Sequence, residues 1–203
     1  MPELPEVEIT KKSLEKYVKD QFIADINIKN YNLRYKIKKS FRKNLLNKKI
    51  LKISRRSKYL IFHLSDNSYF IIHLGMSGRL LVTKKKKEKY LDTSFYSNSS
   101  PITKHNHVYF FFRNNTLIYN DIRRFGFIKY YSKKNFINCS HLLKLGVEPL
   151  SEDFNISYFQ KNIKNFKKSI KNTLMDQSLV SGLGNIYVNE VLFLSKIHPQ
   201  RIS

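Results

Sequence analysis

The chain has 203 residues, of which 38 are Lys or Arg and 15 Asp or Glu, giving a formal net charge of +23. At 41% hydrophobic residues it can bury a core, which excludes global disorder. No apolar run approaches the roughly 20 residues of a membrane-spanning helix, and a single cysteine, Cys139, excludes an internal disulfide and a cysteine zinc site.

The opening Met1-Pro2-Glu3-Leu4-Pro5-Glu6 lacks the basic and apolar regions of a signal peptide, so a cytoplasmic protein is expected. Residues 5–19 read as a helix with Val7, Leu14 and Val18 on one face. Short runs rich in Ile, Phe, Tyr and Val then read as strands: 22–28, 50–54, 59–64, 69–74, 79–83, 107–113, 116–120 and 127–131. Turn pairs such as Asp66-Asn67 and Asn114-Asn115 separate several of them, and this spacing points to an antiparallel sandwich or barrel. The Lys-rich, then Ser/Asn-rich stretch 84–104 reads as a long, mobile surface loop, and 132–150 as a linker. From Ser151-Glu152-Asp153-Phe154, taken as a helix start, the pattern turns helical. Ile163, Phe166 and Ile170 continue one apolar face, and Ile186, Val188 and Val191 to Leu194 form another. The expected class is α+β: an N-terminal antiparallel β-sandwich or barrel with a leading helix (1–131), a linker (132–150) and a helical segment (151–203).

The charge calls for a polyanionic partner. Its split into 29 Lys and 9 Arg, alongside frequent Asn, Ile and Tyr, also fits AT-rich codons, so charge alone does not separate DNA from RNA or ribosome. The N-terminus is more specific. Removal of Met1 would free Pro2 as a secondary amine, and an α-amino group with pKa about 7.7–8 is appreciably unprotonated near neutrality. Such an amine can attack a sugar C1′ and form a charged iminium, an electron sink that acidifies the C2′ proton and permits β-elimination. Glu3 beside it can protonate the ring oxygen or shuttle protons.

The run Pro2-Glu3-Leu4-Pro5-Glu6-Val7-Glu8 resembles the opening of the bacterial formamidopyrimidine-DNA glycosylases. Four further stretches match that family in order: Arg55-Arg56-Ser57-Lys58-Tyr59-Leu60, His73-Leu74-Gly75-Met76-Ser77-Gly78, Asp121-Ile122-Arg123-Arg124-Phe125-Gly126, and Ile170 to Asp176 with Gly182-Leu183-Gly184-Asn185-Ile186-Tyr187. The last resembles the entrance to a helix-two-turn-helix. The resemblance implies Pro2 as nucleophile, Glu3 as general acid, Glu6 as a supporting carboxylate and Lys58 as a phosphate contact at the lesion. It also implies that Met76, Arg123 and Phe125, with Arg124 alongside, fill the gap left by the everted nucleotide, as an apolar wedge and a guanidinium can. Lys167, Asn185 and His105 match phosphate contacts. His105 lies in Lys104-His105-Asn106-His107-Val108, where the family usually has Asp in place of Asn106.

The implied function is excision of oxidised purines, formamidopyrimidine and 8-oxoguanine, from damaged double-stranded DNA, with AP lyase activity, by a monomer. The chain ends at Ser203, inside the helix-two-turn-helix and before the family's four-cysteine zinc finger, so no cofactor is expected and the zinc has no ligands here. A non-catalytic DNA-binding remnant, and less directly an RNA- or ribosome-associated protein, are the alternatives.

Overall fold

A computed structural model describes residues 2–84, 87–92 and 103–203, with only the backbone given for 87–92. The chain divides into two compact units, Met1–Asn138 and Cys139–Ser203.

The first unit opens with α1 (Leu4–Val18), whose Val7, Leu14 and Val18 are fully buried. Nine strands follow: β1 (Asp25–Ile28), β2 (Ile50–Arg56), β3 (Tyr59–Leu64), β4 (Tyr69–His73), β5 (Gly78–Lys84), β6 (Lys87–Asp92), β7 (Asn106–Phe111), β8 (Asn115–Asp121) and β9 (Phe127–Tyr131). They form a five-stranded sheet in the order β1-β7-β8-β5-β6 and a four-stranded sheet in the order β2-β3-β4-β9, and every pairing is antiparallel. Alternate residues of both sheets meet in one core. Leu60, Phe62 and Leu64 enter it from β3, Leu80 and Val82 from β5, Val108 and Phe110 from β7, and α1 supplies its apolar stripe. The result is the sandwich with a leading helix that the strand spacing predicts.

Several expectations need correction. Within 84–104, expected to be loop, Lys87–Asp92 pairs with β5; residues 85, 86 and 93–102 lie outside the described residues. The segment 132–150 is not a bare linker. It carries α3 (Lys133–Ile137), where Ser132 Oγ caps Asn135 N, and α4 (Ser140–Leu143), and it is shared between the two units. A short helix α2 (Phe41–Leu45) has too few residues for a periodic signal to reveal it.

In the second unit, Ser151 does not start a helix. Its hydroxyl turns back to donate to Glu148 O at 2.9 Å, and Asn155 instead caps α5 (Ile156–Ile163) by accepting from Tyr158 N at 2.9 Å. The apolar spacing across Ile163, Phe166 and Ile170 spans two helices, because the chain turns after Ile163 and restarts at α6 (Ile170–Leu174), capped by Ser169. Phe159 and Ile163 of α5 pack on the cluster formed by Ile170, Leu174, Val188 and Leu192 of α6 and α7 (Asn185–Leu194). Among the described residues no helix is long and apolar enough to cross a membrane.

Candidate functional site

At the head of α1, Glu3 is the N-cap and is 1% exposed; Glu6, three residues on, is 8% exposed. Glu6 Oε2 accepts from Glu3 N at 2.8 Å, one half of a reciprocal capping box, and Pro5 takes an early helical position where its missing N–H costs nothing. Pro2 precedes the cap and is half-buried. Two carboxylates are thus held beside the amino terminus, where the positive end of the helix dipole favours them.

A charge clamp aligns this helix end with the β2–β3 turn. Glu8 accepts from Arg55 Nε at 2.7 Å and from Lys11 Nζ at 3.1 Å. Burial raises the Glu8 pKa, but these two cations outweigh it and hold the carboxyl below its usual range. Arg55 also donates to Ser57 O at 3.1 Å, at the turn where Ser57 adopts a φ of 55°. The next residue, Lys58, is therefore turned inward and is 8% exposed. Burial pushes its ammonium below the ordinary lysine range, while the charges of Glu3 and Glu6 pull the other way. The structure brings Glu3, Glu6 and Lys58 together as one charged cluster next to Pro2.

Met76, Arg123, Arg124 and Phe125 lie on two loops that meet. Met76 is 44% and Phe125 45% exposed, so neither is core packing. Arg123 holds its guanidinium 4.5 Å from the Phe125 ring centroid. These four side chains, with Arg34 and His73, line a cleft of about 770 Å³. The fully buried Asp121 joins the loops. Its Oδ1 accepts from Ser77 Oγ at 2.5 Å, and its Oδ2 accepts from Tyr119 O–H at 3.0 Å and Gly126 N at 2.9 Å. Ser77 Oγ accepts in turn from Arg123 N at 3.0 Å. Burial first, and Asp121 second, push the Tyr119 phenol well above its usual pKa, so it stays a donor. The glycines allow the close approach: Gly75 has a φ of 62°, and a Cβ there would stand 2.5 Å from Gly126 N and from the Phe125 carbonyl carbon.

Strand register carries all three motifs to one end of the four-stranded sheet. Tyr59 pairs with His73, and His73 with Phe127. The residues just outside this row are Lys58, Leu74 and Gly126, the roots of the β2–β3 turn and of both loops. The row itself is a set of touching rings, with centroids 4.9 Å apart for Tyr59–His73 and 5.5 Å for His73–Phe127.

His105, at the end of a 3-10 turn (Thr103–His105), is half-buried, whereas His107 is buried, with Nε2 2.7 Å from Asp121 O. The neighbouring Asn106 accepts from Asn120 Nδ2 at 2.7 Å and leaves its own buried Nδ2 without a partner.

Lys167 and Asn185 lie in the second unit and are both exposed. Lys167 sits in the turn between α5 and α6, and Asn185 is the first residue of α7. Gln177 shapes the approach to α7: its Nε2 donates to Met175 O and Leu183 O, both at 2.9 Å, and its Oε1 accepts from Gly182 N at 2.9 Å, where the chain takes a φ of 103°. Gln177, Asp121, Ser77 and the Glu8–Arg55 pair escape sequence reasoning as functional residues. Asp121 and Ser77 sit inside quoted motifs, which was the available signal; Gln177 has none.

Among the described residues no three His, Cys, Asp or Glu side chains gather to hold a metal, and Cys139 is buried. The residues present do not fit the family's zinc ion.

Two family models match the chain: the formamidopyrimidine-DNA glycosylase N-terminal domain over residues 1–128 and the corresponding H2TH domain over 145–203. The formamidopyrimidine-DNA glycosylase of Bartonella tribocorum is 41% identical over 99% of this chain and 69% of its own length. That of Ligilactobacillus salivarius is 43% identical over 98% and 68%. Among solved structures, Lactococcus lactis Fpg in complex with DNA containing an abasic site superposes with a TM-score of 0.84 at 37% identity, covering 98% of this chain and 70% of that one. The wild-type enzyme with DNA containing N7-benzyl-Fapy-dG gives 0.85 at 37% identity, covering 99% and 70%.

Proposed function

Because this chain belongs to the formamidopyrimidine-DNA glycosylase family, we propose that its base excision runs through Pro2, with Glu3, Glu6 and Lys58 as the supporting charges and Met76, Arg123 and Phe125 as the wedge. The chain is a DNA repair glycosylase with AP lyase activity, acting on oxidised purines in duplex DNA. We assign the chemistry to residues 1–131 and backbone binding to the helical segment 151–203. A single cysteine suits a reducing compartment, and we place the protein in the cytoplasm.

The Pro2 nitrogen lone pair attacks the sugar C1′ as the bond to the damaged base breaks and the base leaves with that electron pair. Glu3 supplies the proton that opens the sugar ring, leaving an iminium on Pro2. Loss of the C2′ proton then expels the 3′ phosphate, and water hydrolyses the iminium to free Pro2. Lys58 holds a backbone phosphate against the site, a task that suits an ammonium drawn toward two carboxylates in a partly dry setting. Met76, Arg123 and Phe125 occupy the vacated stack, Arg124 borders them, and His105, Lys167 and Asn185 hold phosphates.

The observation that carries this reading is the buried Glu3 and Glu6 pair flanking a half-buried Pro2, with Lys58 turned in against both. The test is borohydride trapping on lesion-containing duplex with protein whose intact mass shows Met1 removed. A covalent adduct is expected, and it should vanish in Pro2→Gly. Equal adduct yield in Pro2→Gly would defeat the mechanism, and duplex binding without any adduct would favour the non-catalytic alternative.

A further inference from the structure

Beside the wedge cleft lies a second, smaller concavity of about 250 Å³. The 35–44 segment forms one wall with Lys36, Lys38 and Ser40; β9 and the start of α3 form the other with Lys129, Ser132 and Asn135. No Asp or Glu lines it. Elsewhere in this unit the cations Lys11, Arg42, Lys48, Lys49 and Arg55 are paired with carboxylates. Among the described residues, Lys36, Lys38 and Lys129 have no such pairing. A solvated lysine-rich surface explains scattered ammonium groups. It does not explain three converging from two chain segments more than ninety residues apart in sequence, around a hollow floored by hydroxyl and amide groups.

We propose that this pocket is a second backbone-phosphate subsite, which grips the flank of the duplex beyond the gap filled by Met76, Arg123 and Phe125. The inference rests on the DNA reading above. Chain continuity selects DNA over a free polyanion. Arg34 lines the wedge cleft, Tyr35 and Lys36 line the pocket, and Tyr35 packs edge-on against Phe127 at 4.9 Å. Four residues from Arg34 to Lys38 reach at most about 14 Å, which is roughly four steps along one DNA strand at about 3.4 Å each. A strand threaded past Arg34 therefore passes the pocket within a few nucleotides. Ser40, Ser132 and Asn135 can donate to phosphate oxygens that the ammonium groups neutralise.

The test compares wild type with the combined Lys36→Gln, Lys38→Gln, Lys129→Gln variant, by anisotropy on duplex carrying an abasic analogue, across a salt series. A matched control replaces Lys12, Lys16 and Lys19 of α1 with Gln, removing the same charge. The pocket variant should lower the log–log salt slope by about 1 to 2, near 0.9 per phosphate released, and weaken binding about tenfold at physiological salt. The control should change little, and trapping at saturating protein should persist in all three proteins. The difference should vanish on a duplex trimmed to the pairs around the lesion. Unchanged slopes, an equal loss in the control, or a loss that survives trimming would each overturn the subsite alone. So would saturable tripolyphosphate binding that needs the three lysines while the duplex slopes stay equal. Failure of the wild type to bind lesion duplex would remove both this proposal and the reading beneath it.

Discussion

Asp121→Asn is the most informative single change outside the reacting groups. The carboxylate accepts three hydrogen bonds, from Ser77, Tyr119 and Gly126. An amide keeps its oxygen on Tyr119 and Gly126, which share Oδ2, and turns its NH2 toward Ser77 Oγ. Ser77 must then rotate its proton away, losing about 1 kcal/mol, and the two retained bonds fall from charge-assisted to neutral strength, about 1 kcal/mol each. Relief of the buried charge's desolvation offsets part of this, leaving a net loss of about 2 kcal/mol. Asp121→Ala orphans all three donors and should cost more, about 3 to 5 kcal/mol. With no Trp in the chain, urea unfolding followed by circular dichroism or Tyr fluorescence measures the series. Because Ser77 also receives Arg123 N, the wedge loops loosen together. Preference for abasic-analogue duplex over intact duplex should fall about tenfold, or ~1.4 kcal/mol. An Asn variant with wild-type urea midpoint and wild-type preference would refute the claim that this carboxylate holds the wedge.

Gly75→Ala forces a Cβ against backbone atoms of Phe125 and Gly126 that cannot rotate aside. It should destabilise the first unit by at least about 2 kcal/mol and depress lesion binding; a neutral urea midpoint would show that the loops do not need this approach. Glu8→Gln uncouples α1 from the β2–β3 turn. Stability should drop by about 1 kcal/mol, and single-turnover trapping should slow while duplex affinity holds; an unchanged trapping rate would remove Glu8 from a positioning role. Asp176 accepts from Lys168 and Ser178, which lower its pKa to about 2. Its folded value lies below the unfolded one, so its contribution is present above about pH 4 and is lost as pH falls through about 2. Solvent screening keeps that contribution below about 1 kcal/mol. An NMR titration that places the Asp176 carboxyl near the ordinary aspartate value would contradict the pairing.

The sandwich was legible because its strands alternate: Leu60, Phe62 and Leu64 point inward at every second residue, and the period survives wherever one face is buried. The helix stripe Val7, Leu14 and Val18 was legible for the same reason. The reacting groups were legible as well, because Pro2, Glu3 and Glu6 are local in sequence. Sequence spacing misplaced the helix breaks at Ser151 and after Ile163, since a cap depends on which way one hydroxyl or amide turns. It was silent on Asp121 and Gln177, whose work is done through partners from other segments or from the backbone. Local patterns determine which residues can form an element and which chemistry they carry. Only the antiparallel register that sets Tyr59, His73 and Phe127 side by side decided that Lys58, Met76 and Phe125 serve one end of one sheet. Pairing between distant strands depends on the fit of the whole core, and no short window of sequence contains that.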